Sequence, residues 1–129
     1  MFKETQAFSG FAVDDMDKAK EFYGETLGLQ TSDEAGGILV LHLAGDRPTI
    51  VYPSPGMTPA SYTILNFRVD DIEAAVDQLT GRGVQIERYE GFDQDERGIA
   101  RGIAANQGPD IAWFKDPAGN VLSVLQEPA

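Results

Sequence analysis

The sequence predicts an α+β fold built as two tandem β-α-β-β-β modules, and three observations predict it. The first is an internal repeat. Phe11-Ala-Val-Asp-Asp-Met-Asp-Lys-Ala19 matches Phe67-Arg-Val-Asp-Asp-Ile-Glu-Ala-Ala75 at an offset of 56, with five of nine residues shared and both Asp pairs in register. The second is the spacing of apolar residues after each Asp pair. Met16, Ala19, Phe22, Tyr23 and Leu27 share one face in the first copy, and Ile72, Ala75, Val76 and Leu79 in the second, the stripe of an amphipathic helix. The third is the series of short apolar runs, bounded by turn residues, that follows each helix and reads as strands.

Taken in order, Phe8 to Val13 forms the first strand. Asp14 or Asp15 caps the first helix through its side-chain oxygen, Asp17 lies in the first turn where the helix dipole favours acids, and Gly28 ends it. Strands follow at about 30–33, 37–43 and 49–53. The chain reads as one domain over 1–129, with module one at about 5–53, a Pro/Ser/Gly-rich linker at 54–60 and module two at about 61–127. In the second module the helix closes at Gly81 and Gly83, and strands are expected at 84–90, 111–115 and 121–126. The last two flank Asp116-Pro-Ala-Gly-Asn120 and make a hairpin: Pro117 presets φ and Gly119 can take a positive φ. The copies differ at 92–109, a polar, glycine-containing insertion of 18 residues, beyond the ~12–15 at which a structureless loop becomes unusual. A binding lid and a mobile segment are both compatible with it.

Composition bounds the function. The 129 residues suffice to bury a core without staples. Cysteine is absent, which excludes disulfides and thiolate chemistry and makes a reducing cytoplasm the natural location. The longest aliphatic run, Ile38-Leu-Val-Leu41, falls far short of a membrane span. The net charge of −11 repels a phosphate backbone and no Lys/Arg cluster offsets it, so nucleic acid is not an expected partner. A cationic ligand gains from the same field, although acidity also serves solubility.

Two β-α-β-β-β modules, an Asp-Asp-capped helix in each, Phe22-Tyr23…Leu27-Gly28 in the first helix and Asp116-Pro-Ala-Gly-Asn120 before the last strand together resemble the vicinal oxygen chelate superfamily. That group includes glyoxalases, extradiol dioxygenases, epimerases and bleomycin-resistance proteins. The resemblance covers nearly the whole chain and implies a curved mixed sheet around a shared cleft, and a homodimer. It fixes fold better than function, since one fold hosts many chemistries. In the group's enzymes the resemblance implies a divalent metal held by His, Glu or Gln from the first and last strands of the modules, the ligand types such ions require. Carried onto this chain, the four ligand positions are Phe8, Ile50, Ile64 and Ser123. None is a competent ligand, so neither a metal nor another cofactor is expected.

Strand alternation assigns the faces. Leu65, Phe67 and Val69 pack toward the helix, which sends Tyr62, Ile64, Asn66 and Arg68 to the other side. Likewise Phe11 and Val13 pack inward, leaving Phe8 and Gly10 outward, and Leu39, Leu41 and Leu43 send Val40 and His42 outward. Tyr52 shares a face with Ile50, and Val121 and Leu125 share one with Ser123. Trp113 stays open: hairpin counting pairs it with Leu122 on the helix side, whereas module alignment matches it to Val40 on the other. Arg101 could reach an anionic ligand if 92–109 folds over the site. The candidate ligand-binding set is therefore Phe8, His42, Ile50, Tyr52, Tyr62, Ile64, Asn66, Arg68, Arg101, Trp113 and Ser123, an apolar surface with few polar groups, as small-molecule sites have. His42, the only histidine, is the one general-base candidate, although a lone histidine near a sheet edge is commonly structural. Asp14/Asp15 and Asp70/Asp71 read as caps, and 93–97 as a solvated charged loop. The expected function is metal-free binding of a mostly apolar small molecule, with a metal-dependent lyase, isomerase or dioxygenase as the alternative.

Overall fold

A computed structural model describes all 129 residues, Met1–Ala129. The chain forms two compact units, Met1–Pro59 and Ala60–Ala129, and each repeats the same plan.

In the first unit, β1 (Ser9–Val13) leads into α1 (Met16–Lys20), which continues as a π-helical segment (Glu21–Thr26), followed by β2 (Gln30–Glu34), β3 (Ile38–Leu43) and β4 (Arg47–Pro53). Asp15, not Asp14, is the cap: its Oδ1 accepts from the Lys18 N–H at 3.1 Å. The sheet order is β1-β4-β3-β2, with β1 parallel to β4 and the other pairs antiparallel. One face carries Phe11, Val13, Leu39, Leu41 and Val51 against Ala19, Phe22 and Tyr23, all buried. The Phe11 and Tyr23 rings, 5.6 Å apart, mark it as the helix side. Each of the larger aliphatic or phenyl side chains contributes roughly 1.5–3 kcal/mol by leaving water.

The second unit runs β5 (Thr63–Arg68), α2 (Ile72–Gly81), β6 (Ile86–Glu87), β7 (Ala100–Arg101), β8 (Asp110–Lys115) and β9 (Val121–Gln126). Asp71 caps α2 by accepting from the Ala74 N–H at 3.1 Å, as Asp15 does for α1. The sheet order is β5-β9-β8-β6, with β7 also paired to β8. Gln126 accepts from the Ile72 N–H at 3.0 Å, which puts α2 on the face of Gln126 and its partner Asp110. By alternation Ala112, Phe114, Leu122 and Val124 share that face, and all are buried with Ile72, Val76 and Leu79.

Three sequence expectations change. The strand expected over 84–90 narrows to Ile86–Glu87, because only those residues pair with β8. The insertion over 92–109 is neither structureless nor merely solvated. It contributes β7, buries Ile99 fully, and is organised by Asp95, whose Oδ1 accepts from the Arg97 and Ile99 N–H groups, each at 2.9 Å. Finally, β5 carries a bulge between Thr63 and Leu65. Thr63 therefore stands opposite Val121, and Ile64 becomes the extra residue of the bulge, so simple alternation does not govern it.

Candidate functional site

In each unit the sheet face turned away from the helix carries most of the residues that the sequence singled out. In the first unit Gly10 is level with Ile50, and Ile50 lies opposite Val40. Gly10 leaves room for Ile50 there: a Cβ at this position would meet Ile50 Cγ1 at 2.7 Å, so a neighbour would have to shift. Tyr52, level with Ala12, continues the row and is exposed. Phe8 precedes β1 and is 68% exposed. His42 lies on the same face of β3, between Pro48 of β4 and Gln30 of β2, exposed, with Nε2 2.7 Å from Ser32 Oγ. Ser32 was not anticipated; it is level with Val40 on β2.

The second unit answers the open question about Trp113. The observed register sets Trp113 opposite Ser123, not Leu122, so it stands on the face away from α2, as module alignment indicated. Hairpin counting failed because the turn is a five-residue loop closed by one side chain. Asp116 Oδ1 accepts from the Ala118 and Asn120 N–H groups at 3.0 and 2.9 Å, and Oδ2 from Asn120 Nδ2 at 3.0 Å.

On β9, Ser123 is level with Asn66 of β5, and its Oγ donates to Asn66 Oδ1 at 2.5 Å. Ser123 is 0% exposed. Ser123 stands to Asn66 as Ile50 stands to Gly10, and Gly10 and Asn66 are 56 apart, the spacing of the repeat. The module alignment that matched Ile50 to Ser123 is thus reproduced by strand pairing. Over Trp113 lie Tyr89, edge-on at 5.6 Å, and Phe92, tilted at 4.9 Å. Neither aromatic was anticipated, and nor was Glu87, opposite Trp113 on β6. The period-two placement of Glu87 and Tyr89 within the expected strand was the available signal.

Other candidates are placed elsewhere. Arg68 is on the Ser123 face but exposed, paired with Glu127 at 3.1 Å. Tyr62 precedes β5 and is 71% exposed. Arg101 is engaged by three carboxylates: Glu73 at 2.6 Å, Asp95 at 3.0 Å and Asp110 at 3.3 Å. Glu73 belongs to α2, so Arg101 reaches the helix side of its sheet and not the Trp113 face. Burial works against its charge, but Glu73, Asp95 and Asp110 together hold its pKa above the usual arginine value. Asp95 is the converse: burial pushes its carboxyl up, yet the Ile99 N–H, the Arg101 guanidinium and the Arg97 N–H outweigh this and hold it below the ordinary range.

These residues do not fit a divalent metal. Phe8, Ile50 and Ile64 have no donor atoms in their side chains, and the Ser123 hydroxyl is buried and already bonded to Asn66. No three His, Cys, Asp or Glu side chains gather in a group able to hold an ion.

The family model described as Glyoxalase/Bleomycin resistance protein/Dioxygenase superfamily matches residues 6–124. No curated protein matches. Among solved structures, the chain is similar to TnmS3, an antibiotic binding protein from Streptomyces sp. CB03234, with 29% identity, TM-score 0.68 and coverage of 97% of this chain and 98% of that one. It is also similar to a glyoxalase/bleomycin resistance protein from the same Streptomyces, with 29% identity, TM-score 0.60 and coverage of 93% and 100%. The fosfomycin resistance protein FosX from Listeria monocytogenes shares the fold at 11% identity, with TM-score 0.68 and coverage of 95% and 93%. With its match extending over residues 6–124, this chain belongs to the glyoxalase/bleomycin resistance protein/dioxygenase superfamily.

Proposed function

We propose that this protein binds a small, mostly apolar molecule without a metal ion, on the sheet faces turned away from the helices. The observation that carries this reading is the Ser123–Asn66 bond. At the position where the superfamily's enzymes carry a metal-binding carboxylate, this chain has a buried hydroxyl whose hydrogen bond is already made. Opposite it stands Trp113, with Tyr89 and Phe92 against the indole, the aromatic surface with a few fixed polar groups that small-molecule sites share. Ile50, Val40 and Tyr52 give the first unit a similar face. The likeness to an antibiotic binding protein at 29% identity supports the same reading, and the charge of −11 favours a ligand with cationic character. A homodimer is part of the proposal, with a solution mass near twice the 14.0 kDa chain.

The test is a thermal-shift screen of metal-analysed protein against a broad small-molecule panel. A true ligand raises the melting temperature progressively with concentration, by about 2.7 kcal/mol of added stability at a hundred times its Kd. Stoichiometric Fe, Zn, Ni or Mn in freshly purified protein would overturn the metal-free reading, and a panel with no concentration-dependent stabiliser would overturn binding itself.

A further inference from the structure

Four side chains form a row across the sheet of the second unit. Glu87 lies opposite Trp113, Trp113 opposite Ser123, and Ser123 level with Asn66. The row crosses β6, β8, β9 and β5 on the face away from α2. With strands about 4.8 Å apart, it is about 14 Å long. Its chemistry is graded: a carboxylate at one end, an indole in the middle, and at the other end a hydroxyl that donates to the oxygen of an exposed amide.

Two features make the indole end adaptable. Phe92 touches Trp113 yet is 55% exposed. It follows Gly91 at φ +88°, and the backbone bond of this tip, Phe92 N–H to the Tyr89 carbonyl, is long at 3.4 Å. The base beneath is stapled by Gln94, which accepts from the Tyr89 N–H at 2.8 Å and donates to the Glu87 and Gly98 carbonyls at 2.9 and 2.7 Å. Displacing Phe92 from Trp113 would break none of the Gln94 bonds that hold the base.

The carboxylate end is under-used. Glu87 is ion-paired to Lys115 at 3.7 Å, beyond hydrogen-bonding distance, and its side chain is 24% exposed. Beside it the Tyr89 hydroxyl is buried with no hydrogen-bond partner. Burial, then the Glu87 charge, raises the Tyr89 pKa, and the hydroxyl is a donor at neutral pH as any phenol is.

Resting on the small-molecule-binding reading above, we infer that this row selects aromatic cations: a planar ring bearing a positive charge takes the place of Phe92 against Trp113, and Glu87 balances the charge in competition with Lys115. An indole face attracts cations through its ring quadrupole, more strongly once the pair is out of water. A nearby carboxylate adds charge complementarity that a neutral ring of the same shape cannot use.

The probes are N-methylacridinium and uncharged acridine at mildly alkaline pH, compared by isothermal titration calorimetry on the whole protein. The cation is expected to bind about tenfold tighter than its neutral analogue. Glu87→Gln should bring that ratio close to one, and Lys115→Gln should raise it, so the two variants move the same ratio in opposite directions. Phe92→Ala should tighten both probes, because no ring then has to be displaced. Equal affinity for the two probes, no binding of the cation, or a preference that survives Glu87→Gln overturns the inference. If panel molecules still stabilise the protein in those cases, the binding reading stands alone; if none does, both fall.

Discussion

Ser123 Oγ donates to Asn66 Oδ1 at 2.5 Å, joining the last strand to the first strand of the second unit on the face that also holds Trp113. The hydroxyl is completely buried, while Asn66 reaches solvent. Losing this bond alone should therefore cost little more than a typical intramolecular hydrogen bond. Ser123→Ala is expected to lower stability by about 1 kcal/mol, read as a fall in the urea midpoint at unchanged slope.

Ser123→Glu should behave differently. A carboxylate forced into a fully buried position without a cation beside it costs several kcal/mol. The variant should not retain a divalent metal through desalting, since Phe8, Ile50 and Ile64 add no ligands. Stoichiometric metal in this variant, measured by elemental analysis, would show that the ligand positions are assigned wrongly.

The contact of Gly10 with Ile50 predicts a coupled pair. Gly10→Ala puts a Cβ 2.7 Å from Ile50 Cγ1, an overpacking expected to cost about 1–3 kcal/mol. Ile50→Ala removes the clashing atom, so the double variant should be more stable than the two single losses predict. Additive losses in a double-mutant cycle would mean that the strands shift apart instead.

Arg101 and Asp95 should give the folded insertion a pH signature. Arg101 is about one-third exposed, so after allowing for solvent screening Arg101→Gln is expected to cost about 1–2 kcal/mol at neutral pH. The Asp95 pKa is depressed in the folded protein. Its contribution is therefore complete above the unfolded carboxylate value of about 3.9 and fades as pH falls through the lower folded value. The stability gap between wild type and Asp95→Asn should be present at neutral pH and shrink in strong acid. A gap that widens on acidification would contradict this sign.

Asp116 should be the most sensitive residue of the closing hairpin. It is buried and accepts three hydrogen bonds from within the turn. Asp116→Ala is expected to cost about 2–3 kcal/mol, since it strips buried donors of their acceptor. Hydrogen exchange should show faster opening of the Trp113–Ser123 pairing than of β4 in the first unit.

Much of the fold was legible because its signals are local. Asp15 and Asp71 cap because a carboxylate one residue before a helix reaches the free N–H groups of the first turn. The stripes led by Ala19 and Val76 bury because helical spacing gathers them on one side. The repeat made Ile50 and Ser123 legible as equivalents, since two copies of one module share a strand register. The less legible features depend on partners distant in sequence or on bonds made by single side chains. The Ile64 bulge follows from how β5 meets β9, and the folding of 94–101 from Gln94 and Asp95. Glu87 gained a place in the row only when the register of β6 against β8 was known, and the same holds for Tyr89 and Phe92 over Trp113.

By itself the sequence determined the two modules, the helix caps and the alternation of every strand but the bulged β5, because each depends on residue type and spacing along the chain. The tertiary structure alone decided which face Trp113 occupies, that Arg101 is engaged by Glu73, Asp95 and Asp110, and that a carboxylate stands at the end of the indole's row. The physical reason is register: a shift of one residue in strand pairing sends every side chain to the other face, and here a five-residue turn held by Asp116 set it.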